Sequence, residues 1–346
     1  MSYWREASSI ILLTRSPNIN SSFKVLCLKR SNLNSFLPNV TVFPGGTTEK
    51  SDSSLEWINI IPAHNKLELN LNIVGYNDEP VLKLIQDNEK NSISKDFSLR
   101  IAAIRETFEE SGILLCRKRS NSNINTSFKC SHLEIEQISS WRKLVQNDAS
   151  KFIDLCYQNN CYPNISALFF WSNWLSPPVV KSKFDTKFFI AIVNSPTFVT
   201  PDGIETSYAS WNTPDEILSK FELGEEILVT PQFYELLRLK RFISIEALIK
   251  FIPKRIGQGC EQIIPKIIVV KDGILTLLPG DGKYKNLEDA LQIYYDADKN
   301  LKDFDTTVMH RIHVTDRYLP IKLIINNYTS KHGHIVPFTK IYRSNL

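Results

Sequence analysis

A chain of 346 residues with 42% hydrophobic and 11% aromatic side chains holds ample material for a sizeable core, which excludes a disordered polypeptide. Its 41 basic and 37 acidic residues leave a net charge of +4, without the dominant basic stripe of a nucleic-acid binder but compatible with a small polyanionic substrate. The six cysteines (Cys27, Cys116, Cys130, Cys156, Cys161 and Cys260) show no C-x-x-C spacing, so neither a zinc site nor a disulfide framework is expected, and a reducing compartment follows.

No apolar run approaches the roughly 18 residues of a membrane span, and residues 1–6 are too polar for a signal peptide, so a soluble protein is expected. Residues 7–14 (ASSIILLT) and 23–29 (FKVLCLK) are β-prone runs across a Pro-Asn turn and predict an antiparallel pair. Residues 42–46 (VFPGG) read as a strand entering a glycine loop. Residues 53–96 carry two apolar clusters, 55–61 and 81–85, between polar spacers, and are expected to form short helices over the site.

Residues 100–116 (RIAAIRETFEESGILLC) predict the principal helix, with Ser94 or Asp96 as its N-cap. After a polar linker at 117–131, helical spacing over 133–157 predicts one or two helices. Strands are expected at 165–171, 187–193 and 208–211, and helices at 214–221, 231–242 and 244–251. A hairpin at 263–270 and 273–278 turns on Lys271-Asp272-Gly273, and two more β-rich runs follow at 309–314 and 321–325. Strands interleaved with helices predict an α+β or mixed α/β sandwich over residues 1–250. Residues 251–346 are expected as a β-rich extension packed on that core or extending it.

The chemistry concentrates on the principal helix. Residues three and four apart share a helix face, so Glu106, Glu109 and Glu110 point roughly the same way and repel one another. A solvated charge run would be interleaved with lysines, whereas here the nearest cation is Arg105 and the other flank is apolar (Ile101, Ile104, Phe108, Ile113, Leu114). Clustered carboxylates suit a hard divalent cation, Mg²⁺ or Mn²⁺, which takes its remaining ligands from water and substrate phosphates.

The run RETFEESGI, residues 105–113, resembles the second half of the Nudix box, R-E-U-x-E-E-x-G-U, with Thr107 the one off-type position; VFPGG resembles the loop that opens the box. Arg105 stands 53 positions after Asp52, so about 45 residues are inserted within the motif. Phe97 occupies the position counted back from Arg105, and the first acid of the box is therefore either Asp52 or absent. Further likeness, in Trp4-Arg5-Glu6-Ala7, in the insertion, in Lys183-Phe184-Asp185-Thr186 and in Pro231-Gln232-Phe233-Tyr234-Glu235, resembles the Nudix subfamily of acyl-coenzyme A diphosphatases over most of residues 1–250.

The resemblance implies a Nudix α/β/α sandwich that hydrolyses CoA and acyl-CoA, with Mg²⁺ or Mn²⁺, to 3′,5′-ADP and 4′-phosphopantetheine or its acyl form. It implies metal ligation by Glu106 and Glu110, with Glu109 a further ligand or the water-activating base. Arg105 belongs to the same catalytic set and is expected to fix the glutamates by ion pairing. Gly45 and Gly46 are expected to line the substrate. Residues 28–31 (LKRS) are similar to a segment that precedes the glycine loop in CoA-cleaving relatives, so Arg30 or Lys29 is expected on the 3′-phosphate. Lys183 stands where an arginine is more usual.

The alternatives are a diphosphatase for NADH or a nucleotide sugar, and a catalytically silent CoA-binding module. Trp171 and Trp174 are candidates either for stacking on adenine or for the core. His310 with His313, and His332 with His334, are candidate metal pairs, though without accompanying cysteines. Neither nucleic acid nor membrane is expected as a partner. Ser344-Asn345-Leu346 resembles the tripeptide read by the peroxisomal import receptor, so a peroxisomal location is expected, with mitochondrion or cytosol as alternatives.

Overall fold

In the run Ser-Ser-Ile-Ile-Leu-Leu-Thr, successive side chains of an extended chain point to opposite faces, and both faces are apolar; such a strand must be covered on both sides. The computed structural model describes residues 4–16, 23–32, 37–62, 92–119, 130–177, 180–255, 258–314 and 321–339. In it, β1 (Arg5–Arg15) is central to a nine-stranded sheet. It pairs antiparallel with β2 (Phe23–Arg30), as expected. The same strand then runs parallel to β8 (Phe184–Val193), from Arg5 opposite Phe184 to Thr14 opposite Val193.

Beyond β2 lie β3 (Val40–Val42) and β10 (Ile227–Leu228), while β4 (Gly45–Thr47) pairs with the start of β1 and β9 (Thr206–Asn212) with β2. On the other side, β8 is followed by β7 (Phe169–Leu175) and β11 (Gln262–Ile263). A separate pair is formed by β5 (Cys116–Lys118) and β6 (Cys161–Pro163).

Alternation along the strands sorts the core into two layers. Ile10, Leu12, Leu26, Leu28, Phe189 and Ala191 face one cluster, and Ile11, Leu13, Val25, Cys27, Phe188 and Ile190 face the other. The first layer is closed by α1 (Lys95–Ser111), α2 (Ile138–Asn147) and α3 (Lys151–Gln158). The second is closed by α4 (Pro214–Glu222), α5 (Thr230–Leu239) and α6 (Ile245–Arg255). This is the expected sandwich, and the span at 133–157 resolves into two helices.

Helix α1 starts and stops earlier than its apolar spacing suggested. Phe97 and Leu99, ahead of the residues expected to be helical, are buried in the first layer, and Asp96 is ion-paired 2.8 Å from Arg100 one turn on. Ser94 holds the N-cap position, although its side chain makes no capping bond. At the other end Gly112 takes a left-handed φ of 77° and its N–H closes on the Phe108 carbonyl, so Ile113 to Cys116 leave the helix. Thr107, the off-type position, is fully buried and donates its hydroxyl to the Ala103 carbonyl at 2.7 Å, so a polar side chain fills an apolar slot without an orphaned group.

The strand expected at 165–171 begins instead at Phe169, because Arg100 is buried beneath residues 165–168 and donates to the carbonyls of Ile165 and Leu168, holding Ile165–Ala167 in a 3₁₀ turn. Of the insertion, residues 55–61 include Trp57, which is buried against Phe152 and donates its indole N–H to Ser51; this part is core, not a cover. The cluster at 81–85 lies outside the described residues.

The C-terminal part adds a five-stranded sheet in the order β14 (Tyr294–Asp296), β12 (Lys266–Val270), β13 (Gly273–Leu277), β15 (Met309–Val314) and β16 (Ile321–Asn326). Ile312 and Leu323 from this sheet share the second cluster with Tyr234 and Leu248, so it packs directly on α5 and α6. Trp171 and Trp174 are core residues: both are buried, and their indole N–H groups donate to the two carboxylate oxygens of buried Glu235 at 2.7 and 2.8 Å. No adenine can stack there. The histidine pairs are likewise structural, since His310 uses both ring nitrogens on Tyr234 and Pro279, and His334 uses both on Trp171 and Ile335.

Candidate active site

Arg105 organises the site. It is 2% exposed, and a buried guanidinium needs all five of its N–H groups met. Nε and Nη2 donate to the two oxygens of Asp52 at 2.9 Å each, and Nη2 also reaches the Thr47 carbonyl at 3.0 Å. Nη1 donates to Glu106 at 2.9 Å and Glu109 at 2.6 Å. Every donor is used, so Arg105 holds Asp52, Glu106 and Glu109 together.

Asp52, six positions after Gly46, is the carboxylate that the fold brings from the glycine-loop side to Arg105. It is 1% exposed, and besides Arg105 it accepts the Glu49 N–H at 2.8 Å within a short 3₁₀ turn. The insertion therefore lengthens the chain between Asp52 and α1 without separating them in space.

Two glycines bring backbone against the carboxylates. The Gly45 N–H donates to Glu110 Oε2 at 2.8 Å, and a Cβ at Gly46 would stand 2.5 Å from the Glu106 carboxyl carbon. Both glycines thus meet carboxylates of α1. Gly46→Ala is expected to push Glu106 aside and lower kcat/KM by roughly 10²-fold, since about 1 Å of misplacement has that cost. Steady-state rates beside an unchanged circular-dichroism spectrum check it.

Burial pushes Glu106 up to about 8, opposed by Arg105 and reinforced by Glu109 and Asp52. Burial and then the Glu106 charge raise Glu110 well above the ordinary carboxylate range, only partly offset by the Gly45 N–H. Glu109 is raised too, by burial first, with Arg105 pulling the other way. Hard oxygen donors that resist ionisation together are the donor set for a hard divalent cation, and the residues present fit one.

The sign of the metal-free pH dependence follows. A carboxyl held at about 8 when folded, against 4.5 ordinarily, keeps a proton that the unfolded chain releases. Its contribution to stability is full below pH 4.5 and is lost as pH rises through about 8. In a chelator, the melting temperature is expected to fall from about pH 4.5 to about pH 8, and a saturating divalent cation to flatten that fall, which thermal scans would read directly.

Groups that sequence spacing did not suggest hold the end of α1. Arg142 donates to the Glu109 carbonyl and to Thr200, each at 2.6 Å, and Gln146 adds a bond to the same Glu109 carbonyl at 3.1 Å. Thr206 donates its hydroxyl to the Glu110 carbonyl at 3.1 Å, in a turn built on Asp202, which accepts the Thr206 N–H at 2.7 Å. No periodicity announces such contacts, because each partner comes from a different element.

The two basic residues expected on a substrate phosphate separate. Arg30 shares its sheet face with Leu26 and Leu28, next to α1, and its charge acts on Glu110; its Nε is buried without a hydrogen-bond partner. Lys29 points to the opposite face and pairs with Glu226 at 3.6 Å. Lys183 sits over the Trp4 ring, 5.6 Å from its centroid.

The family model for the NUDT19 Nudix domain matches residues 4–239. The acyl-coenzyme A diphosphatase NUDT19 of Xenopus laevis is 36% identical, over 98% of this chain and 97% of its own length. Its counterpart in Homo sapiens is 31% identical, over 99% and 96%. Among solved structures, a NUDIX hydrolase from Alicyclobacillus acidocaldarius superposes with a TM-score of 0.53 at 21% identity, covering 72% of this chain and 97% of that one, a likeness of fold. The matched span includes the glycine loop, Asp52 and all three glutamates, and the chain therefore belongs to the NUDT19 family of Nudix hydrolases.

Proposed function

We propose that the chain hydrolyses the diphosphate of CoA and acyl-CoA, releasing 3′,5′-ADP and (acyl-)4′-phosphopantetheine. The observation that carries this reading is the meeting of Glu106 and Glu110 with the glycine loop, with Glu109 held on Arg105, in a chain similar over nearly its whole length to acyl-coenzyme A diphosphatases. Glu106, Glu109 and Glu110 would hold Mg²⁺ or Mn²⁺, which when bound neutralises phosphate charge and lowers the pKa of water.

The chain's own groups do the rest. Glu109 has one oxygen on Arg105 and, with its proton affinity raised by burial, has the other available to take a proton from water. Gly45 fixes Glu110, and Arg105 keeps three carboxylates in register without moving a proton itself. Incubation with Mg²⁺ and CoA, NADH or ADP-sugars, with products identified by mass, tests the reading. Preferential release of 3′,5′-ADP from CoA is expected; preferential cleavage of the other substrates, or binding of CoA without turnover, would overturn it.

Arg30, beside Glu110 with its Nε unpartnered, is suited to the scissile diphosphate more than to a distant 3′-phosphate. Arg30→Ala is expected to lower kcat/KM by roughly 10- to 100-fold, the value of a hydrogen bond to a charged group, and equally for CoA and 3′-dephospho-CoA. A loss confined to CoA would return Arg30 to the 3′-phosphate.

For location, we propose peroxisomal import through residues 344–346, which lie outside the described residues. A fluorescent protein fused ahead of Met1 is expected in peroxisomes with the full chain and diffuse without those three residues; identical diffuse signals refute the address.

A further inference from the structure

Cys116, Cys156 and Cys161 are 40 and 5 positions apart in sequence, a spacing that suggested no metal site. The fold brings them together. Cys116 opens β5 and Cys161 opens β6, two strands of one antiparallel pair, while Cys156 comes from α3 against that pair. All three side chains are buried, and their sulfur atoms lie within 4.8 Å of one another. The remaining cysteines take no part: Cys27, for example, lies in the opposite core layer.

Metal–thiolate bonds of about 2.3 Å around one ion put three sulfurs about 4 Å apart, so a small inward movement of each side chain completes such a set. Thiolates select soft cations, and the set has nothing in common with the oxygen donors of Glu106, Glu109 and Glu110. Three thiolates around a monovalent ion carry net negative charge, and a cation stands beside them: Lys118, two residues after Cys116, anchors its Nζ on the Asn159 carbonyl at 2.9 Å and acts electrostatically on Cys161. Among the described residues no fourth histidine, cysteine or carboxylate joins the group. A dry, three-sulfur set suits Cu(I), which is content with three ligands, better than Zn(II), which takes four.

We propose that Cys116, Cys156 and Cys161 form a binding site for one Cu(I) ion, separate from the hard-cation site of the glutamates. Binding forms three copper–sulfur bonds and releases the protons of the three thiols to solvent; the ion enters as Cu(I), so no electron is transferred. Because β5 follows α1 by only a few residues and α3 belongs to the same layer, an occupied site would tie together the elements behind the catalytic helix.

The test uses the full chain, reduced and free of oxygen, titrated with Cu(I) against a competing Cu(I) chelator. Copper is read by intact-protein mass and by thiolate-to-copper ultraviolet absorption. One ion per chain, a higher melting temperature and a sulfur-only X-ray absorption signature are expected. Cys161→Ser and Cys156→Ser should each weaken copper retention at least about tenfold while leaving Mg²⁺-dependent hydrolysis unchanged, and Cys27→Ser should keep both. Should the serine variants fail to fold, the wild-type absorption spectrum decides: three sulfur neighbours support the site, and fewer, or nitrogen and oxygen neighbours, overturn it. Loss of all copper to the chelator, equal retention by Cys161→Ser, or preference for Zn(II) over Cu(I) would each overturn it as well.

Discussion

Glu110→Gln is expected to lower kcat by about 10²- to 10⁴-fold while leaving the metal-free protein as stable as before or more so. The two effects have one cause. Glu110 is 3% exposed and stands beside Glu106, so its ionised form is costly to bury, as the strong upward displacement of its pKa records. Glutamine keeps the shape and still offers an oxygen to the Gly45 N–H, but it removes the charge that makes a cation welcome.

Activity and stability should therefore move in opposite directions, which a general loss of structure cannot imitate. Rates over a Mg²⁺ series, with melting curves in chelator, make the comparison. A variant within tenfold of wild type, its metal dependence intact, would remove Glu110 from the metal site.

Asp52→Ala carries the largest expected cost in stability. It leaves Arg105, 2% exposed, with Nε unpaired and Nη2 reduced to the Thr47 carbonyl; Glu106 and Glu109 still face Nη1, so the cost is expected at the low end for breaking a buried pair, about 3 kcal/mol. At about 2–4 °C per kcal/mol for a chain of this size, the melting temperature should fall on the order of 10 °C.

Activity should fall with it even where the chain is folded, because Arg105 also sets Glu106 and Glu109. Asp52→Asn, which keeps one acceptor, should lie between. A melting temperature within a degree or so of wild type for Asp52→Ala would mean that the pair is not what seats Arg105.

The chemistry of this protein was legible from the one-dimensional chain because it is local. Glu106, Glu109 and Glu110 lie within five residues, and helical spacing alone places them on one side of α1. The two-sided burial of β1 was legible for the same reason, since an unbroken apolar run admits few other strands. Boundaries were less so: the stop of α1 at Ser111 depends on the left-handed turn at Gly112, and the shift of β7 on a buried Arg100 reaching across to Ile165 and Leu168.

What joins distant segments was decided by tertiary structure alone. Whether Asp52 meets Arg105, which of Arg30 and Lys29 faces the carboxylates, and how Arg142 and Thr206 grip the end of α1 all depend on which faces of separate elements meet. The meeting of Cys116, Cys156 and Cys161 is of the same kind. Side-chain chemistry and short-range periodicity are properties of the chain itself, whereas contacts across tens of residues exist only once burial of the two core layers has chosen a single packing.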